Sequence, residues 1–135
     1  MSATIPDEYR DLVGPPVIPV LGTLNADGTV QVTPVWATYD GEHILVGSAR
    51  GRLKDRNMRA RRAVTLTFVD PANPYRYVEL RGDAQIAADP DYEFAKKLGA
   101  KYGGADLSEH DGPGVQRLIV TIVPTRVTVW GDAAE

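Results

Sequence analysis

The sequence predicts a mainly β fold, a small antiparallel barrel of about six strands with two or three short helices. Segments of alternating polarity recur along the 135 residues, at the period of two that sends successive side chains to opposite faces of a strand. Thirteen glycines and ten prolines supply more turn residues than a helical bundle uses. The elements follow in the order β-β-β-α-β-β-α-β, which suits a closed or nearly closed sheet. The length fits one domain over residues 1–135, with residues 1–16 as an N-terminal arm.

Residues 5–13 form a short helix in this reading, with Pro6 in its first turn and Asp7 and Glu8 complementing its dipole. Gly14, Pro15 and Pro16 stop it. Residues 17–25 are an apolar strand entering a turn at Ala26-Asp27-Gly28. Residues 29–39 alternate: Val30, Val32, Pro34 and Trp36 share one face, and Gln31, Thr33, Val35 and Ala37 the other. Pro34 has no amide hydrogen and marks an edge, a bulge or a break in pairing.

Asp40-Gly41 turns the chain into a third strand over residues 43–48. A short helix follows over residues 53–60, with Leu53, Asn57 and Ala60 inward and Arg56, Arg59 and Arg62 wet. Residues 63–69 and 77–87 are strands separated by a loop at 71–74. Residues 89–102 make the clearest helix, with Asp89 as N-cap, Pro90 first in the helix, and Phe94, Leu98 and Tyr102 as its apolar stripe. An acidic, glycine-containing loop over 105–114 leads into a long final strand, 117–130, bent at Pro124.

Several chemistries are excluded. The chain has no cysteine, which removes disulfides, cysteine-ligated metals and a thiol nucleophile. His43 and His110 lie far apart without ligand-spaced partners, so no metal site is expected. Neither a GxxxxGK[ST] loop nor a GxGxxG turn is present. The start of the chain lacks the charge and apolar run of a signal peptide, and residues 118–123 are too few to span a bilayer. A cytoplasmic protein with no membrane partner is expected.

Residues 47–62 stand out. They hold seven of the fifteen basic side chains but one acid, Asp55, in a chain of net charge −3. Cations concentrated inside an anionic protein point to a local anion site. Arg52 and Lys54 follow a strand directly, in a glycine-containing turn that opens a helix, where backbone amides also attract anions. A guanidinium fork beside an ammonium suits a phosphate. Nucleic acid is disfavoured by the net negative charge and by the lack of an aromatic-rich RNA-binding strand.

Three blocks carry a family resemblance: residues 21–36 (LGTLNADGTVQVTPVW), 44–68 (ILVGSARGRLKDRNMRARRAVTLTF) and 78–86 (VELRGDAQI). With these the chain resembles the pyridoxamine-phosphate-oxidase-like split β-barrel family. It is most similar to the actinobacterial branch of small reductases that use the deazaflavin coenzyme F-420. The middle block, with its RxKxxN pattern, is the most specific.

The resemblance implies a homodimer with cofactor sites at the subunit interface. It places Arg52 and Lys54 on the cofactor phosphate, with Gly47, Ser48 and Ala49 beside them. Gln31, Thr33, Pro34 and Val35 match the strand along the tricyclic ring. Asn57 matches the family's helix asparagine, a ligand contact or a brace of the turn. Segments around residues 75–78 and the last strand of a second subunit would complete the pocket.

The implied activity is hydride transfer from reduced F-420 to an electron-poor conjugated small molecule such as a quinone, tetrapyrrole, unsaturated carbonyl or heteroaromatic compound. The chemistry then belongs to the cofactor, and no catalytic side chain is identified. FMN fits the same phosphate site, and a non-catalytic F-420 carrier fits the same fold. Arg50, Arg56, Arg59, Arg61 and Arg62 are candidates for the oligoglutamate tail of F-420 or for plain solvated charge.

Overall fold

The computed structural model describes residues 3–132. Asp7–Leu12 forms a 3-10 helix. Seven strands follow: β1 (Val20–Leu24), β2 (Val30–Pro34), β3 (Ala37–Tyr39), β4 (Ile44–Ala49), β5 (Ala63–Asp70), β6 (Asn73–Ala88) and β7 (Arg117–Trp130). Three α-helices, α1 (Leu53–Ala60), α2 (Glu93–Lys101) and α3 (Leu107–His110), lie between them. All seven strands join one antiparallel sheet in the order β2-β1-β5-β6-β7-β4-β3. Among the described residues, no helix is long and apolar enough to cross a membrane.

The count is seven rather than about six because residues 29–39 form two strands. β2 ends at Pro34, which cannot donate to a further ladder. The chain then crosses to the opposite edge of the sheet, where β3 pairs with β4. Only Val35 and Trp36 make this crossing, and three Cα steps span at most about 11 Å. The two edges of the sheet must therefore lie close together, and the sheet curls into a half-barrel. Val35 N–H reaches back to Pro19 O (3.0 Å), while Gly47 N–H meets Trp36 O (3.4 Å) on the other side.

Alternate residues fill the barrel. Leu21, Ile44, Val46, Leu66, Phe68, Val78, Leu80, Val120 and Ile122 are all buried in one cluster. The 3-10 helix adds Tyr9 and Leu12, with Ile5 and Val13 flanking it. It is tied down by Arg76, a fully buried cation that forks onto Asp11 (2.8 and 2.9 Å), and also reaches Asp70 (3.1 Å) and Glu8 O (2.7 Å). The hydrogen bonding to the Asp11 carboxylate is the main reason that the Arg76 pKa rises above its ordinary value. Such partners are what make a buried charge tolerable.

Other boundaries shift for local reasons. β6 starts at Asn73, inside the expected 71–74 loop, because Asn73 already pairs with Asp70 across a tight hairpin. The bend in the last strand is present: the β6–β7 register slips between Arg81 and Gly82, opposite Pro124. On α1 the buried residues are Asp55, Asn57 and Met58, whereas Leu53 and Ala60 are exposed. Asp55 turns inward to accept hydrogen bonds, and the helix rotates with it. α2 starts at Glu93, and α3 forms a single turn within the expected 105–114 loop.

Candidate functional site

The site is assembled from the β4–α1 turn outward. β4 pairs with β7 up to Ala49, and the chain must then reverse into α1. Gly51 makes the reversal at φ +88°, a conformation that favours glycine. Asp55 locks it: one carboxylate oxygen accepts Gly51 N–H (2.8 Å) and the other accepts Arg59 Nε (2.8 Å). Asn57 fixes the other side of the helix, donating to Thr23 Oγ1 (3.1 Å) and Asn25 Oδ1 (2.8 Å) at the end of β1. Both anchors are buried.

Held this way, Arg52 and Lys54 line a cleft of about 300 Å³. The β2–β3 crossing, Pro34, Val35 and Trp36, forms a second wall, and Ile18 lies beside it. Gly47 of β4, Leu98 of α2 and Leu107 of α3 supply the apolar remainder, and Arg117 at the start of β7 completes the lining. A Cβ on Gly47 would sit 2.9 Å from Leu98 Cδ1, so the glycine lets α2 approach the sheet. The Trp36 ring stacks on Tyr102, centroids 5.3 Å apart and planes within 5°. Tyr102 is anchored in turn, its hydroxyl 2.8 Å from Val17 O and 3.0 Å from Ala37 O, and Lys101 Nζ donates to Ala37 O (2.7 Å).

The cleft is electropositive. Its charged lining residues, among those described, are Arg52, Lys54 and Arg117, with no carboxylate. Lys54 is half-buried, and burial first, then the charges of Arg52 and Arg117, hold its pKa below the ordinary 10.5. Both arginines thus act on Lys54. Arg117 forks onto Asp111 through Nε (2.7 Å) and Nη2 (2.6 Å), and Tyr92 donates its hydroxyl to the same carboxylate (2.8 Å). Chiefly through the Arg117 bond, the Asp111 pKa falls to about 2.

Of the ten residues expected at a cofactor site, Pro34, Val35, Gly47, Arg52 and Lys54 meet in this cleft. Ala49 is buried at the end of β4. Ser48 shares the core-facing side of β4 with Ile44 and Val46, and its buried hydroxyl has no hydrogen-bond partner among the described residues. Gln31 and Thr33 pair with Thr23 and Leu21 across β1, away from the cleft lining. Asn57 acts as a brace. Of the outer arginines, Arg59 binds Asp55 and Arg61 donates twice to Leu24 O (3.0 and 2.9 Å), so both serve the fold.

Sequence reasoning missed Arg117, Ile18, Leu98 and Leu107 as lining residues. Arg117 is placed there by long-range strand pairing. It opens the strand that pairs with β4, and the register sets it opposite Ala49, next to the basic turn. No local spacing carries that information.

Residues 5–131 match the family described as Pyridoxamine 5'-phosphate oxidase. The chain belongs to this family. Among solved structures, an F-420 reductase is 35% identical, with a TM-score of 0.83 over 92% of this chain and 98% of its own. A conserved hypothetical protein from Mycobacterium tuberculosis is 22% identical over 96% of this chain and 86% of its own, with a TM-score of 0.73. HupZ from Group A Streptococcus is 19% identical over 97% and 98%, with a TM-score of 0.67. The last two bear on the fold alone. No curated protein matches the chain. Within the family fold, the cleft lies where the two edges of the curled sheet meet.

Proposed function

We propose that this protein is an F-420-dependent oxidoreductase that reduces an electron-poor, conjugated small molecule. The observation that carries the reading is the convergence of Arg52, Lys54 and Arg117 on one apolar-walled cleft. Its 35% identity to an F-420 reductase supports the choice of cofactor. The residues suit such a group. Cations at one end match a phosphate, and Val35, Trp36, Leu98 and Leu107 offer the apolar contact that a flat ring system needs.

In this reading Arg52 and Lys54 hold the phosphate, and the turn locked by Asp55 keeps them in place. When bound, the deazaflavin supplies the hydride chemistry. Pro34 and Val35 border the ring, and Leu107 excludes water from the cleft. The Trp36–Tyr102 stack stiffens the wall against which a planar substrate would lie.

The protein is proposed to work as a homodimer. The outer face of β1, β2, β5 and β7 exposes Val20, Val30, Val32, Val69 and Trp130, a run of apolar side chains that a second copy would cover.

Titration of the pure protein with F-420 and with FMN, followed by fluorescence, tests the reading. F-420 is expected to bind the more tightly. Retention of FMN with indifference to F-420 would instead make it an FMN enzyme of the same family. Arg52→Ala and Lys54→Ala should each weaken F-420 binding by about 1.5–3 kcal/mol, the worth of a charge-assisted hydrogen bond. Unchanged affinity in both variants would remove the phosphate assignment. Tight binding without oxidation of reduced F-420 across a broad substrate panel would leave a carrier.

A further inference from the structure

We propose that Asp111, backed by Tyr92, is a positioning residue that aims the Arg117 guanidinium into the cleft and so completes a three-cation grip on a phosphoryl group. The inference rests on reading the cleft as the phosphate site, and it extends the grip to a wall that the basic turn does not reach.

The hydrogen bonds carry the argument. Asp111 takes Nε and Nη2 of Arg117, the side edge of the fork, at 2.7 and 2.6 Å. A guanidinium is planar and rigid, so a bidentate partner on one edge fixes its plane. Two of its five N–H groups are used in this way, and the Tyr92 hydroxyl lies against the same guanidinium. Arg117 thus lines the cleft, and the neighbouring pocket that holds Tyr92, in a fixed orientation.

Asp111 is itself held. Tyr92 donates to Oδ2, the same oxygen that takes Arg117 Nε, and this resists rotation of the carboxylate. Tyr92 sits at φ 58°, the one non-glycine residue with positive φ among those described. A bulky side chain rarely adopts that backbone, and such strain persists where surrounding contacts impose it. Asp111 also closes α3, its N–H donating to Leu107 O (2.9 Å), and Leu107 lines the cleft. One residue therefore ties a cation and an apolar wall of the cleft to the same point.

Arg52 and Lys54 come from the β4–α1 turn, whereas Arg117 comes from β7. An anion that engages all three bridges two elements, and a phosphoryl group has oxygens enough to do so.

A double-mutant cycle on the full chain, read as the Kd for inorganic phosphate and separately for F-420, tests the proposal. Arg117→Ala is expected to weaken phosphate binding about tenfold, and Asp111→Asn about as much. Combining the two should weaken it no further than Arg117→Ala alone, because Asp111 acts only through Arg117. Tyr92→Phe, which spares the ion pair, should lose about two- to threefold, and that loss should vanish in the Arg117→Ala background.

Full phosphate affinity in Asp111→Asn, or additive losses approaching about a hundredfold in the double variant, would overturn the proposal. If Asp111→Asn does not fold, undiminished affinity in Tyr92→Phe does the same. F-420 bound normally by all the variants would refute the positioning role while leaving the cofactor reading intact. A wild-type protein that binds neither probe removes both.

Discussion

Lys54 is the one cation of the three whose charge pH can remove. Arg52 and Arg117 stay protonated at any accessible pH, and their fields add to burial in holding the Lys54 pKa below 10.5. A bound phosphoryl dianion prefers the ammonium form, so affinity must fall as pH rises through the Lys54 pKa. The second ionisation of inorganic phosphate, close to neutral pH, lies below that point and works in the opposite direction. Phosphate affinity measured by calorimetry should therefore level off once that ionisation is complete and decline before an ordinary lysine would titrate. Lys54→Arg should hold the plateau through that range, and a decline surviving in the arginine variant would assign the titration to another group. Lys54 and Arg52 were legible in the sequence because the pattern that carries them is local. Asp55 was not: its carboxylate serves a backbone N–H in a turn whose shape only the packed helix defines.

At the scale of elements, α2 shows how a correct cue gave a displaced boundary. Asp89-Pro90 has the composition of an N-cap and a first helical residue. The chain instead turns once more through Tyr92, and the helix starts at Glu93. Asp89 still caps it, accepting Phe94 N–H (3.2 Å) and Ala95 N–H (2.9 Å) from outside. The extra turn is closed by Tyr92 N–H on Asp89 O (3.2 Å), and the Tyr92 side chain bonds Asp111, nineteen residues on, a contact that no window of sequence reports. Because Asp89 is buried and satisfies two first-turn amides, Asp89→Ala should destabilise the fold by about 1–2 kcal/mol, read from urea denaturation midpoints. Asp89→Asn should recover part of that. Leu98 and the Tyr102 anchor ride on or beside this helix, so F-420 affinity should fall along with stability in Asp89→Ala. A stable variant with unchanged affinity would show that α2 does not support the cleft.

For the whole molecule, the alternation of residues 29–39 showed strand, and Pro34 showed an interruption, but not that the two halves lie at opposite edges of one sheet. That depends on the pairings of β2 with β1 and of β3 with β4, which are settled when the sheet curls. The same sheet carries a group of exposed valines on its outer face. Val30 and Val32 lie on an edge strand and are 56% and 59% exposed; Val20 on β1 and Val69 on β5 continue the face, and Trp130 at the end of β7 is 64% exposed. A bare edge strand with an apolar outer face invites association, and a face of this kind meeting its own copy about a two-fold axis gives a closed dimer. Sedimentation should therefore find the wild-type chain as a dimer, and Val32→Glu, which sets a carboxylate on the edge-strand side of that face, should shift it to monomer. If the second copy also completes the cofactor site, the monomeric variant should lose F-420 affinity although Val32 is not among the residues lining the cleft. A wild-type monomer at micromolar concentration would remove the dimer, and a monomeric Val32→Glu that binds F-420 normally would place the whole site within one chain.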